Sequence, residues 1–269
     1  MKGVLTADTV LIEELTWPDV EAALANGVTT AVLACGAAEQ HGPHLPTGTD
    51  AYLGTAIAER AARIAGEALV APTIRPGLSE HHMRFPGSFT LRTRTFVSLL
   101  ADTCESLARQ GFEWIVVFPS HGGNADMMKA HTPEIARALA GRTELVLSLR
   151  GLEDSERMLA LVAEQGVTLG QAGVHAGYVE TAMMLHVAPG LVRMDRAEPG
   201  RSDEEFYLPE NVRRSQLESF LHGVQAQSPN GVLGDPTGAT AEIGEQLLEL
   251  AAQAVAGDIV RSRAPAPAR

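Results

Sequence analysis

The feature that most constrains this fold is an alternation along the chain of short apolar runs, rich in β-branched residues, with longer stretches of helical period. Strands are expected at residues 29–35, 68–72, 114–119 and 144–149, and helices at 50–64, 93–110, 125–140, 155–164, 178–187 and 239–260. Strand, helix and strand in succession pair in parallel through a crossover, so the pattern predicts an α/β fold with a mostly parallel sheet. Asp50 reads as an N-cap, and 93–95 could start the next helix in the same way. Two segments, 75–92 and 199–238, are rich in Gly, Pro and polar residues and read as long loops. There is no internal repeat, and the Pro/Ala-rich end at 261–269 is expected to fray, leaving one domain over 1–260.

Composition narrows the function. With 269 residues, 45% of them hydrophobic, the chain can bury a sizeable core. Thirty-three acidic residues against 21 basic ones give a formal charge of −12, the wrong balance for a nucleic-acid binder, which draws most of its affinity from phosphate contacts. Aromatics are 4% of the chain, with two tryptophans, Trp17 and Trp114, so stacking platforms are sparse. Two cysteines, Cys35 and Cys104, lie in apolar segments and read as free buried thiols of a reducing compartment. No apolar run approaches the ~18 residues of a membrane span, and the N-terminal stretch carries acidic residues where a signal peptide would be apolar. A cytoplasmic protein is expected, with a small-molecule substrate as partner and neither nucleic acid nor membrane.

The chemistry concentrates in three segments. GAAEQHGPHLPTGTD follows the strand at 29–35, so it sits at a strand's carboxyl end, where ligands bind in open α/β sheets. Glu39, His41 and Asp50 in that loop form a carboxylate and imidazole set suited to zinc, manganese or iron. His121 stands at the tip of the strand at 114–119, beside Gly122 and Gly123. His175 and Glu180 flank a glycine before an apolar helix, where an acid needs a partner that a metal could provide. Singly, each carboxylate reads first as a solvated charge or cap, and each histidine as a hydrogen-bonded loop residue. Their convergence from three segments favours a site.

The runs EQHGPHLPTGTD, SHGGN, HAGYVET and GVLGDPTGATAEIG together resemble the creatininase (creatinine amidohydrolase) family of metal-dependent hydrolases, over most of the chain. The resemblance implies a three-layer α/β/α sandwich, assembled as a homohexamer, that hydrolyses amide-type C–N bonds in cyclic or formylated compounds. It implies one or two divalent ions, zinc first and manganese or iron as alternatives, held by Glu39, His41, Asp50 and His121, with Asp50 bridging. Glu180 is taken as the remaining ligand and His175 as the proton shuttle. Two departures follow from the same match. Creatinine-cleaving members carry a glutamate where this chain has Gly123, and they enclose creatinine between tryptophans, of which this chain has none after Trp114.

The mechanism expected is attack by a metal-activated water, with no Ser or Cys nucleophile: Ser120 lacks an elbow sequence and Cys35 lies in a strand. His44, Ser79, His81, His82 and Arg84 are candidates in overhanging loops, read first as ordinary loop hydrogen-bonding residues. Asp235, Thr240 and Glu242 read as turn and cap residues, and Met183 and Met184 as core. The rival readings are a peptidase or a ring or lactone hydrolase on the same site, and a non-catalytic oligomeric binder of small molecules. The substrate-binding residues are left unassigned.

Overall fold

The computed structural model describes residues 8–149 and 155–264. Four strands, β1 (Thr30–Cys35), β2 (Ala68–Val70), β3 (Trp114–Pro119) and β4 (Glu144–Leu147), form one sheet. Their order is β2-β1-β3-β4 and every pairing is parallel, with Thr30 opposite Ala68 on one side and Trp114 on the other. All six residues of β1 are buried, as a central parallel strand covered on both faces requires.

The period-2 alternation sorts those residues between two cores. Ala31, Leu33 and Cys35 face α3 (Thr93–Gln110) and α4 (Gly122–Leu139), meeting Phe96, Leu100, Cys104 and Met128. Val32 and Ala34 face α2 (Thr49–Ala65) and the last helix (Ala241–Ser262), where Ala58, Ala61, Ala62, Ala252 and Ala256 let the helix backbones lie close to the sheet. The result is the three-layer α/β/α sandwich. Cys35 and Cys104 are free and buried in the first of these cores.

Other helices extend this frame. α1 (Trp17–Ala25) precedes the sheet, and α5 (Ser155–Ala163), α6 (Leu169–Ala172) and α7 (Tyr178–Val187) follow it. A third core joins Met158 and Val162 of α5 to Tyr178, Met183 and Met184 of α7 and to Ile243 and Leu247 of the last helix. No helix among the described residues is long and apolar enough to cross a membrane.

Several boundaries differ from the sequence reading. β2 stops at Val70, two residues before Pro72, which has no N–H to give to a ladder. β4 stops at Leu147 rather than at 149. α4 begins at Gly122, three residues early, and the last helix begins at Ala241, where Thr240 accepts a hydrogen bond from the Ile243 N–H. α3 has Arg92 at its cap and no threonine side-chain cap bond.

The larger corrections are added helices. α1 is opened by a capping box of Thr16 and Asp19 with Pro18 in its first turn. The supposed loop at 199–238 contains α8 (Glu204–Tyr207), α9 (Pro209–His222) and α10 (Val224–Gln227). Asp203 caps the first of these and Pro209 opens the second, both ordinary start signals. The last helix, α11, contains Arg261 and Ser262, and residues 265–269 of the expected frayed end lie outside the described residues.

Gly244 of α11 crosses α7 so closely that a Cβ there would collide with the Ala182 carbonyl. Helix propensity alone would make Gly244→Ala stabilising by about 1 kcal/mol. Forcing packed backbones apart costs about 1–3 kcal/mol. Gly244→Ala is therefore expected to lower the thermal midpoint, and a raised midpoint in calorimetry would refute this crossing.

Candidate metal centre

The sheet order turns outward in both directions from the β1/β3 pair, so the connections leaving their carboxyl ends diverge and leave a crevice. The chain after β1 lies along that edge and is tied in place. Glu39 N–H donates to the Thr47 carbonyl at 2.8 Å, and Gln40 N–H donates to Ser88 Oγ at 3.0 Å. After β3, Ser120 Oγ donates to the Asp50 carbonyl at 2.9 Å. Asn124 joins three segments: Nδ2 donates to the carbonyls of Cys35 and Gly36 at 3.0 and 2.9 Å, and Oδ1 accepts from Leu78 N–H at 3.0 Å.

Asp50 corrects the capping expectation. Gly48 occupies the cap of α2, and Asp50 sits in the first turn, buried, with its carboxylate turned into the crevice. The turn before α7 brings in the third segment. Ala176 takes a positive φ of 52°, costly for a residue with a Cβ, and its N–H donates to Glu180 Oε2. That turn brings both His175 and Glu180 to the site.

All six residues singled out from the sequence, Glu39, His41, Asp50, His121, His175 and Glu180, are brought together. His41 Nε2 lies 3.4 Å from Asp50 Oδ1 and 3.9 Å from Glu180 Oε2. His121 Nδ1 lies 3.3 Å from Asp50 Oδ2, its Nε2 3.4 Å from Glu39 Oε2, and His175 Nδ1 3.7 Å from Glu39 Oε1. Ligand atoms of Glu39, His41 and Asp50 lie within 4.8 Å of one another, as do those of His41, His175 and Glu180.

The candidates of the overhanging loop separate. His82, in a 3-10 turn at Glu80–His82, belongs to the cluster, with Nε2 3.2 Å from Glu39 Oε1. His81 stands at its rim: a ring nitrogen lies within 4.8 Å of ligand atoms of Glu39 and His121, and the ring is stacked on His121 with centroids 5.9 Å apart and capped by Phe220 of α9 at 4.5 Å. His44 stands behind the cluster, its Nε2 2.9 Å from Thr181 Oγ1. Ser79 is buried and Arg84 exposed. Asp235 and Thr240 serve a turn and a cap, as expected. The sequence reading passed over Gln40 and Asn124, although an amide between Glu39 and His41 was a visible signal.

Burial and mutual attraction divide the titrations. Burial opposes charge on His41, yet Asp50, Glu180 and Glu39 outweigh it and lift the ring to about 10. The same contest, with Glu39 and Asp50 as the attracting charges, lifts His121 to about 9. Burial raises Glu39 to about 7 against the pull of His121. Asp50 is buried too, but His41 and His121 hold it well below the usual carboxylate range. His82 and His175 are driven far down by burial and by cationic neighbours, so both rings are neutral.

The cluster fits a metal on a direct observation. Both carboxylate oxygens of Glu39, His41 Nε2 and Asp50 Oδ2 are buried with no hydrogen-bond partner. Such groups are costly unless satisfied, and a divalent cation would satisfy all four at once. One nitrogen of each ring is engaged by backbone: His41 Nδ1 donates to the Glu39 carbonyl at 3.0 Å, and His121 Nε2, also 3.4 Å from Glu39 Oε2, donates to the Leu78 carbonyl at 3.2 Å. A bound cation would displace the proton from the other nitrogen of each ring, His41 Nε2 and His121 Nδ1, which face the carboxylates. At Gly123, a Cβ would collide with the His121 ring and the Leu78 carbonyl.

A parallel α/β sandwich with this buried acid and imidazole cluster at its carboxyl edge defines a metal-binding hydrolase class. The chain belongs to the creatininase family: the family model "Creatininase: Creatinine amidohydrolase" matches residues 13–259. It is 31% identical over 242 residues to a mycofactocin precursor peptide peptidase of Mycobacterium ulcerans (strain Agy99), covering 86% of this chain and 80% of that protein. It is 29% identical over 270 residues to a creatinine amidohydrolase of Pseudomonas putida, covering 96% and 98%. A crystal structure of creatinine amidohydrolase superposes with a TM-score of 0.77 at 27% identity, covering 97% of this chain and all of that one. Among similar solved creatininases, one is described as a Zn-Zn type and another as a Mn form. These relatives make the chain a hydrolase acting on C–N bonds.

His44 gives a pH test apart from the catalytic chemistry. Burial pushes it from an ordinary 6.5 down to about 4. Between those values the unfolded chain holds a proton there that the folded chain refuses, so stability falls as pH falls through this window. Thermal midpoints of His44→Asn are expected to fall less steeply than those of the wild type between pH 6.5 and 4. Parallel profiles would refute the assignment.

Proposed function

We propose that this chain is a metal-dependent hydrolase of amide-type C–N bonds in a small cyclic or formylated substrate. Glu39, His41, Asp50 and His121 would hold the metal, with Asp50 shared between two ions and Glu180 completing the second. The observation that carries this reading is the set of buried, partnerless ligand atoms on Glu39, His41 and Asp50. Zinc is the first choice of ion and manganese or iron the alternatives, because carboxylate and imidazole suit all three.

When bound, such ions lower the pKa of a coordinated water toward neutrality and polarise the scissile carbonyl. The residues of the chain arrange what surrounds that step. His175 donates from Nε2 to the Gln40 carbonyl at 2.8 Å, which leaves the Nδ1 lone pair toward the crevice. A neutral ring so held takes the proton of the attacking water at Nδ1 and returns it to the leaving nitrogen. Asp50 stays ionised, held well below the usual carboxylate range by His41 and His121.

A second reading, a peptidase on the same centre, is favoured by the 31% identity to the peptide peptidase and by the tryptophans. Trp17 is 77% exposed on α1, and Trp114 is half-buried at the start of β3, so neither stands at the crevice to enclose a planar ring. Assembly as a homohexamer belongs to the same proposal, supported by exposed Trp17, Phe89 and Leu221, which an oligomer would cover. The buried free thiols support a cytoplasmic location.

Metal stripping by a chelator is expected to lower the thermal midpoint and zinc to restore it. Elemental analysis should find less zinc per chain in His121→Ala and Glu180→Gln; full stoichiometry in His121→Ala would sink the site. His175→Asn should keep its zinc and lose about 10²–10⁴-fold in kcat. Formamides, short peptides and creatinine, assayed with zinc-loaded protein, separate the readings, and turnover of peptides alone selects the peptidase.

A further inference from the structure

Gln40 lies between two ligand-type residues, and its side chain is fully engaged on the inner side of the cluster. Its Oε1 accepts from the Gly42 N–H at 2.9 Å, while its Nε2 lies 3.1 Å from the Gly231 carbonyl and 2.9 Å from His82 Nδ1. Exchanging the amide's two ends would set NH2 against an N–H and oxygen against a carbonyl, so the orientation is fixed from both sides. An amide nitrogen has two hydrogens. Gly231 takes one and His82 Nδ1 the other, which makes Nδ1 an acceptor and puts the proton of this neutral ring on Nε2, 3.2 Å from Glu39 Oε1.

No hydrogen remains for His175 Nε2, although it lies 3.0 Å from the same amide nitrogen. His175 instead donates from Nε2 to the backbone carbonyl of Gln40 at 2.8 Å. One residue therefore sets both rings, by its side chain for His82 and by its main chain for His175.

The segment Gly231–Leu233 supports the arrangement. A Cβ at Gly231 would collide with the Gln40 amide, and Leu233 exchanges backbone hydrogen bonds with His175. The motif GVLGDPTG, left without a chemical role by the sequence, thus forms the floor under Gln40 and His175.

We propose that Gln40 is a positioning residue that holds His82 as its Nε2–H tautomer, so that His82 keeps a proton on the ring nitrogen nearest the Glu39 carboxylate and is not itself a metal ligand. The consequence for metal binding rests on the reading of Glu39 as a ligand; the tautomer assignment does not. A ring N–H beside Oε1 limits the rotation of the Glu39 carboxylate, as outer-sphere partners of metal ligands do.

The test is the imidazole 15N spectrum of the full chain stripped of metal, with His82 and His175 assigned by the signals lost in H82N and H175N. Both rings are expected as Nε2–H tautomers. In Gln40→Met, His82 should lose its single tautomer while His175, held by a backbone carbonyl, keeps its own. Zinc affinity, measured by competition with a chromogenic chelator, should fall about 10–100-fold in that variant. A proton on His82 Nδ1 in the wild type, or an unchanged His82 signal in Gln40→Met, overturns the proposal. If Gln40→Met does not fold, the wild-type spectrum still decides. Wild-type protein that shows both tautomers but binds no zinc supports the role of Gln40 and overturns the metal reading instead.

Discussion

The constraint on which the rest depends is the removal of two carboxylates, Glu39 and Asp50, from water in one place. Moving a carboxylate into the interior costs several kcal/mol after relaxation, and two adjacent ones repel. Four imidazoles and the half-buried Glu180 surround the pair, and the neutrality of His82 and His175 beside the raised His41 and His121 follows from that crowding. The free chain has no reason to assemble such a cluster. It exists because the sheet, the Ala-rich helix contacts and the tied loops force it, at a cost that bound cations would offset.

Rigidity at the carboxyl edge comes from contacts between connections rather than from long strands. Asn124 binds the ends of β1 and of the 75–92 segment to the first turn of α4. A Cβ at Gly77 would meet both the Gly36 carbonyl and Asn124, so these loops touch backbone to backbone. The site's precision is then inherited from the sheet, because each ligand-type side chain is at most a few residues from a strand end, a helix start or the Asn124 clamp. Only the His175 turn is built differently, by the left-handed Ala176 and its pairing with Leu233.

Much of this was legible in the residues. β3, α3 and α7 match their expected bounds because each carries one unambiguous period. α8 to α10 were hidden because their polar, Gly- and Pro-flanked sequence has weak periodicity, and their packing partners lie far away in the chain. Within the site, Glu39, His41 and His121 were visible as charges and rings at strand ends. His82 was visible only as a second-rank candidate, because a histidine in a long loop looks the same whether it meets solvent or Glu39. Asp50 was read both as a ligand and as a cap; the cap reading fails because Gly48 holds that position, and an acid in the first turn satisfies the dipole without capping.

The absence of a side chain at Gly123 has a steric logic. His121 donates from Nε2 to Leu78, and that bond lays its ring across the space a Cβ at 123 would enter. A chain that keeps this ring pose cannot also carry a glutamate there. Glu180 reaches the same cluster from α7, where the Ala176 N–H holds Oε2, the oxygen that lies 3.9 Å from His41 Nε2. In the proposed centre, the third carboxylate therefore comes from α7, through Glu180, and none comes from position 123. The His121 side of the crevice is walled by the rings of His81 and Phe220.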